Sequence, residues 1–292
     1  MSITRRRKHR GGEDPNQDLL RAVMAKDIES VKRLLQDPRV DPNTKEGAPL
    51  VHAANNGSVE IAKILLQDPR VDPSLRDQLA LSYACMNGRL PIVKLLLQDT
   101  RVDPSGENQR PLKDACEHGR AEVVRLLLKD PRVDPSVDNQ APIQLASTES
   151  GDPEVVKLLL QDPRVDPTAG ENIAVLTAAK EGREDILEVL LNDPRVQQCD
   201  YIYEWPLEAR RWSKESKKVF ARTKAKRDIK RKARNTLALK QTERHGFKDL
   251  PNNVKGYLGT FVSGKVGPTL QSHMNQLKKN HNAVGRTRKK YS

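Results

Sequence analysis

The sequence predicts an all-α solenoid of six helix-turn-helix repeats followed by a basic, mostly helical C-terminal tail. First, the phrase LLQDPRVDP at residues 34–42 recurs with small changes in five further copies, 31 or 32 residues apart. Second, a glycine follows the same period in the later copies. Third, apolar residues between these markers have helical spacing, and a fixed period of this length is the signature of stacked repeats. The first aspartates of the six phrases are Asp37, Asp68, Asp99, Asp130, Asp162 and Asp193.

Each repeat contains two predicted helices. In APLVHAANNGSVEIAKILLQD, Leu50, Ala53 and Ala54 form a stripe of small and apolar residues with i, i+3, i+4 spacing. Gly57 then ends this helix, and the more apolar stretch from residue 59 to 66 forms the second. Helices shorter than about 12–15 residues are marginal in water, so we expect neighbouring repeats to supply the missing burial.

The recurring phrase has a structural interpretation. Asp37 and Pro38 end the second helix, because a residue before proline is pushed out of the helical region. Val40 is expected to lie buried beneath the next copy. The alternating charges of Asp37, Arg39 and Asp41 are expected to form charge ladders between adjacent fingers, the loops that join one repeat to the next. We therefore assign no ligand to the phrase itself.

The repeats resemble the ankyrin repeat, whose hallmark is T-P-L-H-x-A, then glycine, then V-V-x-L-L-L. APLVHAANNGSVEIAKILL, RPLKDACEHGRAEVVRLLL and LALSYACMNGRLPIVKLLL carry the resemblance, which covers about residues 17–200. The period is 31–32 residues here, against about 33 in the family. The DPRVDP finger is similar to the arrays of large DNA viruses and some fungi. The first copy has Lys26 in place of the glycine and is interpreted as an N-terminal cap.

The resemblance implies a non-catalytic scaffold that binds other proteins through its concave face. Because the phrase is scaffold, we expect partner contacts at the positions that vary between copies. One such position lies two residues after the first-helix leucine and faces the concave side in the family. Its residues are Arg21, His52, Tyr83, Asp114, Leu145 and Thr177. The finger tips vary from basic to acidic and predict a mixed-charge groove for a peptide. Their residues are Lys45, Arg76, Glu107, Asp138 and Gly170.

No catalytic, metal or cofactor site is expected. The sequence contains no CxxC, HExxH or P-loop motif, and its acidic residues follow the repeat rather than a catalytic pair. Cys85 and Cys116 occupy the slot that holds Ala54 and Ala179 in other copies, so we interpret them as small buried residues. Three cysteines form no disulfide framework. No apolar run reaches the length of a membrane span. We expect an intracellular monomer, cytoplasmic or nuclear.

Positive charge is concentrated at the two ends of the chain. Residues 201–292 hold 24 Lys or Arg and 6 Asp or Glu, whereas residues 1–200 hold 28 and 33. The acidic array argues against nucleic-acid binding by the repeats, and only the ends have the sign that phosphate requires. The stretch from Lys217 to Arg244 lacks proline and glycine and is expected to be helical. It fits a solvated helix, a nuclear-import signal or a nucleic-acid contact.

Two further features lie in the tail. Trp205, Leu207 and Trp212 are candidates to cover the last repeat, because an exposed solenoid end needs a cap. FKDLPNNVKGYLGTFVSG forms an amphipathic pattern that resembles the first helix of an F-box and the F-box-like C-termini of poxvirus ankyrin proteins. This resemblance implies docking onto a Skp1-like protein of a cullin ubiquitin ligase. The residues that match the pattern are Leu250, Pro251, Val254, Leu258 and Phe261. The alternative for this segment is a small helical bundle with LQSHMNQLKK.

These inferences divide the chain into five segments. They are a basic disordered N-terminus (1–16), the repeat domain (17–200), a capping segment with a basic helix (201–245), the F-box-like segment (246–280) and a basic disordered C-terminus (281–292). The expected function is a protein-interaction scaffold. A ubiquitin-ligase adaptor is the first alternative, and a nucleic-acid or chromatin-associated protein that acts through its tail is the second.

Overall fold

The computed structural model describes residues 14–199 and 212–245, in which every regular element is a helix. The described residues divide into two compact units at the junction of Lys224 and Ala225. The first unit holds the repeats and the start of the last helix. The helices are α1 Pro15–Met24, α2 Ile28–Leu35, α3 Thr44–Asn56, α4 Val59–Gln67, α5 Leu75–Met86, α6 Leu90–Leu97, α7 Gly106–Glu117, α8 Ala121–Leu127, α9 Val137–Leu145, α10 Pro153–Gln161, α11 Ala169–Lys180, α12 Glu184–Asn192, α13 Pro194–Gln198 and α14 Lys214–His245.

Helices α1 to α12 form six pairs, which confirms the predicted fold class. The first helix of each pair, α1, α3, α5, α7, α9 or α11, is called the inner helix below, and the second is called the outer helix. The small inner stripe is buried, with Leu50 at 2% exposure and Ala53 and Ala54 at 0%. Inner helices pack on inner helices and outer helices on outer helices of neighbouring copies. Stacking therefore supplies the burial that these short helices lack alone.

Residues with a left-handed backbone conformation lie at both ends of the inner helices. Gly57 has φ +72° at the end of α3, as expected for a glycine that terminates a helix. Lys26 takes the same conformation, with φ 57°, in the first copy. Each inner helix of copies 2 to 6 also opens with three left-handed residues, such as Lys45–Gly47 with φ of 50°, 59° and 84°. These turns form the tips of the fingers.

The N-terminal boundary and the fifth copy differ from the sequence analysis. Helix α1 begins at Pro15, two residues before the boundary expected at residue 17, with the Asp14 carboxylate accepting a hydrogen bond from the Asn16 N–H. In the fifth copy the extra residue ends α9 at Leu145. Gly151 does not have the positive φ of the other marker glycines. Glycine is needed at this position because there is no room for a side chain: a Cβ would lie 1.9 Å from the Ala146 carbonyl oxygen.

The recurring phrase connects consecutive repeats through its arginine. The close ion pair of Arg70 lies within its own copy, and the charge of Asp41 in the preceding copy acts on Arg70 from further away, which is the expected charge relation between fingers. Arg70 pairs with Asp68 of its own copy, and its Nη1 and Nη2 donate to the backbone carbonyls of Val40 and Leu35 in the preceding copy. A guanidinium has enough donors to bind a carboxylate and carbonyl oxygens at once. We call this arrangement the arginine clip. The aspartate pair and the contact with the preceding valine carbonyl recur at Arg101, Arg132, Arg164 and Arg195, and Arg195 also repeats the contact with a leucine carbonyl.

The valine of the phrase is buried, as predicted. Val40 is 2% exposed, and its counterparts in the later copies are equally covered. Side-chain amides of the fingers add a second connection between copies: Nδ2 of Asn43 donates to the Arg70 carbonyl at 2.6 Å, and Nε2 of Gln109 donates to the Arg132 carbonyl at 3.2 Å. The finger loops are therefore held in one register from repeat to repeat.

The last repeat is covered by the residues that follow it. Trp212 is 6% exposed and packs edge-on against Phe220, with ring centroids 5.1 Å apart. The hydroxyl of Ser213 donates to Glu184 at 2.9 Å, and Arg222 pairs with Glu188 of α12 at 2.9 Å. Trp212 thus has the capping role expected from the sequence. Trp205 and Leu207 lie outside the described residues.

Candidate functional site

A groove of about 640 Å³ crosses the inner helices and finger tips of copies 2 to 4. We call it the central groove. Its floor is formed by inner-helix residues, and its edges are formed by residues of the left-handed turns. The lining residues are Glu46, Ala48, Val51, His52, Asn55, Arg76, Asp77, Leu79, Tyr83, Glu107 and Arg110.

The central groove brings together four residues selected from the sequence, namely His52, Tyr83, Arg76 and Glu107. The other expected positions lie on the same series of inner helices and turns but do not line this groove. They are Arg21, Asp114, Leu145, Thr177, Lys45, Asp138 and Gly170. Leu250, Pro251, Val254, Leu258 and Phe261 of the F-box-like segment lie outside the described residues.

Sequence reasoning missed several lining residues. Glu46 and Asp77 directly follow the selected tip positions Lys45 and Arg76, and each carries the opposite charge of its neighbour. Arg110 lies three residues after Glu107 and four before Asp114, at the spacing of side chains on one helix face. Considering each tip as two adjacent residues, rather than as a single position, identifies Glu46 and Asp77.

Four charged residues of the central groove form two ion pairs. Arg76 lies 3.4 Å from Glu46 of the preceding tip. Arg110 pairs with Glu107 and lies 3.5 Å from an oxygen of Asp114. Carboxylates on both sides raise the pKa of Arg110, chiefly through its hydrogen bond to Glu107. The groove therefore presents both signs of charge in fixed positions around an uncharged floor.

The residue that follows each tip position changes the expected gradient of charge along the tips. The first two tips carry adjacent opposite charges, Lys45 with Glu46 and Arg76 with Asp77, so they are neutral rather than basic. Glu107 and the later tips carry acidic residues without a basic neighbour in the turn. The tips therefore run from neutral to acidic. Asp138 is in turn offset by Lys113 of α7, whose ammonium lies 2.9 Å away.

His52 and Tyr83 occupy the floor of the groove at equivalent positions of α3 and α5. Both side chains are half-buried. Neither the imidazole nor the phenol group makes a hydrogen bond within residues 14–199 and 212–245. An aromatic side chain with an unused polar group combines a large contact area with a hydrogen bond, which is why tyrosine is enriched at interfaces.

Asp114 occupies the next equivalent position, on α7, and its carboxylate is poorly compensated. Burial raises the pKa of this carboxyl group, and the charge of Arg110 only partly opposes that effect. Its Oδ2 is buried, and the nearest charged donor, Nε of Arg110, lies 3.5 Å away, at the limit of a hydrogen bond. A half-buried carboxylate of this kind orients the Arg110 guanidinium, but its loss of hydration lowers the free energy of unfolding.

Cys85 and Cys116 are fully buried in the core, as expected for small residues of the stacking face. Burial raises the pKa of both thiols, so the thiolate needed for reactivity is disfavoured. Across the described ranges, no group of three or more His, Cys, Asp or Glu side chains is placed to hold a metal ion. Within the same ranges, no helix is long and apolar enough to span a membrane.

Comparisons with known proteins identify the repeat. The family profile described as Ankyrin repeats (3 copies) matches residues 19–105, 66–140 and 112–201. The crystal structure of EF0377, an ankyrin repeat protein, is 27% identical and covers 62% of this chain and 99% of its own, with a TM-score of 0.49. The ankyrin repeat domain of Bcl-3, a unique member of the IkappaB protein family, is 21% identical and covers 62% of this chain and 88% of its own, with a TM-score of 0.52.

The likeness to Bcl-3 shows the fold alone, because the identity is low. No curated protein matches the sequence. The three profile matches together extend from residue 19 to residue 201, which is more than half of the 292-residue chain. The chain therefore belongs to the ankyrin repeat family.

Proposed function

We propose that this protein binds a segment of another protein in the central groove and performs no catalysis. Ankyrin repeats are protein-interaction scaffolds, and the repeats occupy most of the described chain. The observation that carries the proposal is the floor of the groove, where His52 and Tyr83 keep unused polar groups between two sets of paired charges. We expect the ligand to be an extended peptide with both acidic and basic side chains.

Each part of the groove has a distinct role in this proposal. Tyr83 supplies contact area at the centre, because a half-buried aromatic side chain loses little conformational freedom on binding. The Arg76–Glu46 pair and the Arg110–Glu107 pair hold charges in place before the ligand arrives, which reduces the entropic cost of association. The ligand then exchanges hydrogen bonds with these pairs at the rim.

A displayed library of random peptides, selected against the full-length chain, tests this proposal directly. We expect selected peptides to lose at least tenfold in affinity for the Tyr83→Ala variant. Lys63→Ala on the outer helix α4 is the matched control and should bind as the wild type does. Peptides that bind both variants equally would place the interaction elsewhere. Near-identical unfolding midpoints of the two variants would show that the loss is local.

We propose, as an alternative, an adaptor role in which the repeats select a target and residues 246–280 contact a Skp1-like protein. The support is the sequence pattern around Leu250, Pro251 and Phe261. Co-purification of a Skp1-like protein with the full chain, and its loss in Leu250→Ala with Phe261→Ala, is the expected result. Leu270→Ala with Met274→Ala is the control, because it removes similar apolar area outside the pattern. Retention of the Skp1-like protein by the first variant contradicts the adaptor role.

A further inference from the structure

Helix α14 is a continuous basic helix. Lys214–His245 spans 32 residues and contains 13 Lys or Arg against 3 Asp or Glu. The first part, up to Lys224, belongs to the unit that contains the repeats, and its apolar residues Val219 and Phe220 pack against the core. The remainder belongs to the second unit. Its exposed basic side chains include Lys226, Lys230, Lys232 and Arg234.

These four side chains make no ion pair within the described part of the chain. Lys226, Lys230 and Arg234 follow one another at four-residue steps, so they form a row on one face that rises about 6 Å per step. Like charges at this spacing repel and destabilise a helix. An extended polyanion along the row removes that repulsion.

The distribution of apolar residues distinguishes a nucleic acid from a membrane surface. A helix that lies on a membrane needs a continuous apolar face opposite its basic face. Beyond Lys224 the sequence of α14 has three large apolar residues, Ile229, Leu237 and Leu239, which are too few for a continuous apolar face, and Ile229 is 68% exposed. The exposed row of Lys226, Lys230 and Arg234 fits a phosphate backbone that lies along the helix.

We propose that the exposed basic residues of α14 bind the phosphate backbone of nucleic acid, independently of the groove. The contact is electrostatic and does not depend on base sequence, because lysine and arginine side chains contact phosphates through charge. The acidic array leaves the two ends of the chain as the parts with the appropriate sign, and α14 lies in the C-terminal one. Failure of peptide binding in the central groove has no bearing on this proposal.

The test uses the full-length chain and two labelled probes, a 20-mer DNA duplex and a 20-mer single-stranded RNA. Binding is followed by fluorescence anisotropy between about 50 and 200 mM salt. For about four phosphate contacts on duplex DNA, the affinity should fall on the order of 100-fold over this range. Comparison of the two affinities shows whether the chain binds duplex DNA or single-stranded RNA more tightly.

Two variants with equal charge loss assign the contact. Replacing Lys226, Lys230, Lys232 and Arg234 with Gln should weaken binding at least tenfold at about 50 mM salt and flatten the salt dependence. Glutamine keeps helix propensity, and circular dichroism checks that the helix content is unchanged. The control replaces four exposed lysines of the outer helices or the residues that follow them with Gln, at Lys63, Lys94, Lys129 and Lys157. It should bind as the wild type does.

Several results overturn the proposal. They are no binding at about 50 mM salt, an affinity that does not change with salt, and equal losses in the tail variant and the control. Vesicles containing phosphatidylserine form a separate arm. Tighter binding to these vesicles than to either nucleic acid assigns the helix to a membrane surface instead.

Discussion

Arg101 donates a hydrogen bond from Nη1 to the backbone carbonyl oxygen of Val71, 30 residues earlier, at 2.6 Å. The same guanidinium binds the Asp99 carboxylate of its own copy through Nε and Nη2. One side chain therefore fixes the distance between two consecutive fingers. The arrangement recurs in five copies. The residues that form it are therefore needed to keep the repeats in register, whereas other positions are free to vary.

Replacing Arg101 with lysine should destabilise the array. Lysine keeps the charge but does not reach the Asp99 carboxylate and the Val71 carbonyl with separate donors. The expected loss is about 1.5–3 kcal/mol in the free energy of unfolding, measured by urea denaturation. Arg39→Lys is the control, because Arg39 pairs only with Asp37 in the described residues and its side chain is 80% exposed. Equal costs at both positions would contradict a role for the carbonyl contact.

Acid should destabilise the repeats through the same clips. The hydrogen bond from Arg101 holds the pKa of Asp99 below its usual value of 3.8. In this range the unfolded chain binds more protons than the folded chain. The stabilisation is therefore present above the unfolded pKa of 3.8 and is lost as the pH falls through the lower pKa of the folded state.

Urea denaturation at a series of pH values checks this dependence. Asp99→Asn should be less stable than the wild type at pH 7, and the difference should shrink below pH 3.8. A constant difference between the two proteins from pH 7 to pH 2 would show that the ionised carboxylate is not the stabilising group.

Asp114 should show the opposite behaviour. Burial raises the pKa of its carboxyl group above 3.8, so at neutral pH the folded state holds a charge that the unfolded state accommodates more easily. Asp114→Asn should therefore be more stable than the wild type at pH 7, with a difference that shrinks as the pH falls toward 3.8. Lower stability of Asp114→Asn at pH 7 would mean that the contact with Arg110 outweighs the cost of burial. Urea denaturation at both pH values decides this.

Sequence and structure agree where one repeat determines its own geometry, and they differ where several repeats meet. The six helix pairs, the buried position of Val40 and the core position of Cys85 follow from spacing and apolarity. The acceptor of Arg70 is a backbone carbonyl, which carries no sequence signal. The left-handed turns occupy residues such as Arg76, whose intrinsic preference is right-handed, so packing of the fingers overrides local propensity.

The same limit applies to the central groove. Variation between copies selected His52, Tyr83, Arg76 and Glu107, but the pairing of Arg76 with Glu46 depends on how adjacent tips meet in space. A single position per tip predicts a basic first tip, whereas Lys45 is followed by the acidic Glu46, which pairs with Arg76 of the next tip. The tail residues of the F-box-like pattern lie outside the described ranges, and their role stays a prediction.

Reversing the paired charges should separate folding from recognition. Arg76→Glu places a third carboxylate beside Glu46 and Asp77, and it should weaken binding of the selected peptides at least tenfold. The double variant Glu46→Lys with Arg76→Glu restores an ion pair in the opposite direction. It should keep the unfolding midpoint of the wild type and still bind the peptides weakly. Full recovery of affinity in the double variant would show that the peptide does not read these charges.

The marker glycines should differ in their tolerance of alanine, although the sequence treats them alike. A Cβ at Gly151 would lie 1.9 Å from the Ala146 carbonyl oxygen, so the backbone of the fifth copy must move. At Gly182 the nearest atom is 3.9 Å away, and only the φ of +69° opposes a side chain. Gly182→Ala should cost about 1–2 kcal/mol, the usual penalty for left-handed backbone.

Gly151→Ala should cost about 3 kcal/mol or more, because its clash is with backbone rather than with a side chain that can turn away. The loop around it is also held from the next repeat, since Arg183 donates to the carbonyl oxygens of Thr148 and Gly151. Relaxation of the loop would therefore break contacts in both copies. Urea denaturation of the two alanine variants measures the difference. Equal costs would mean that the extra residue of the fifth copy gives the loop enough freedom to absorb a methyl group.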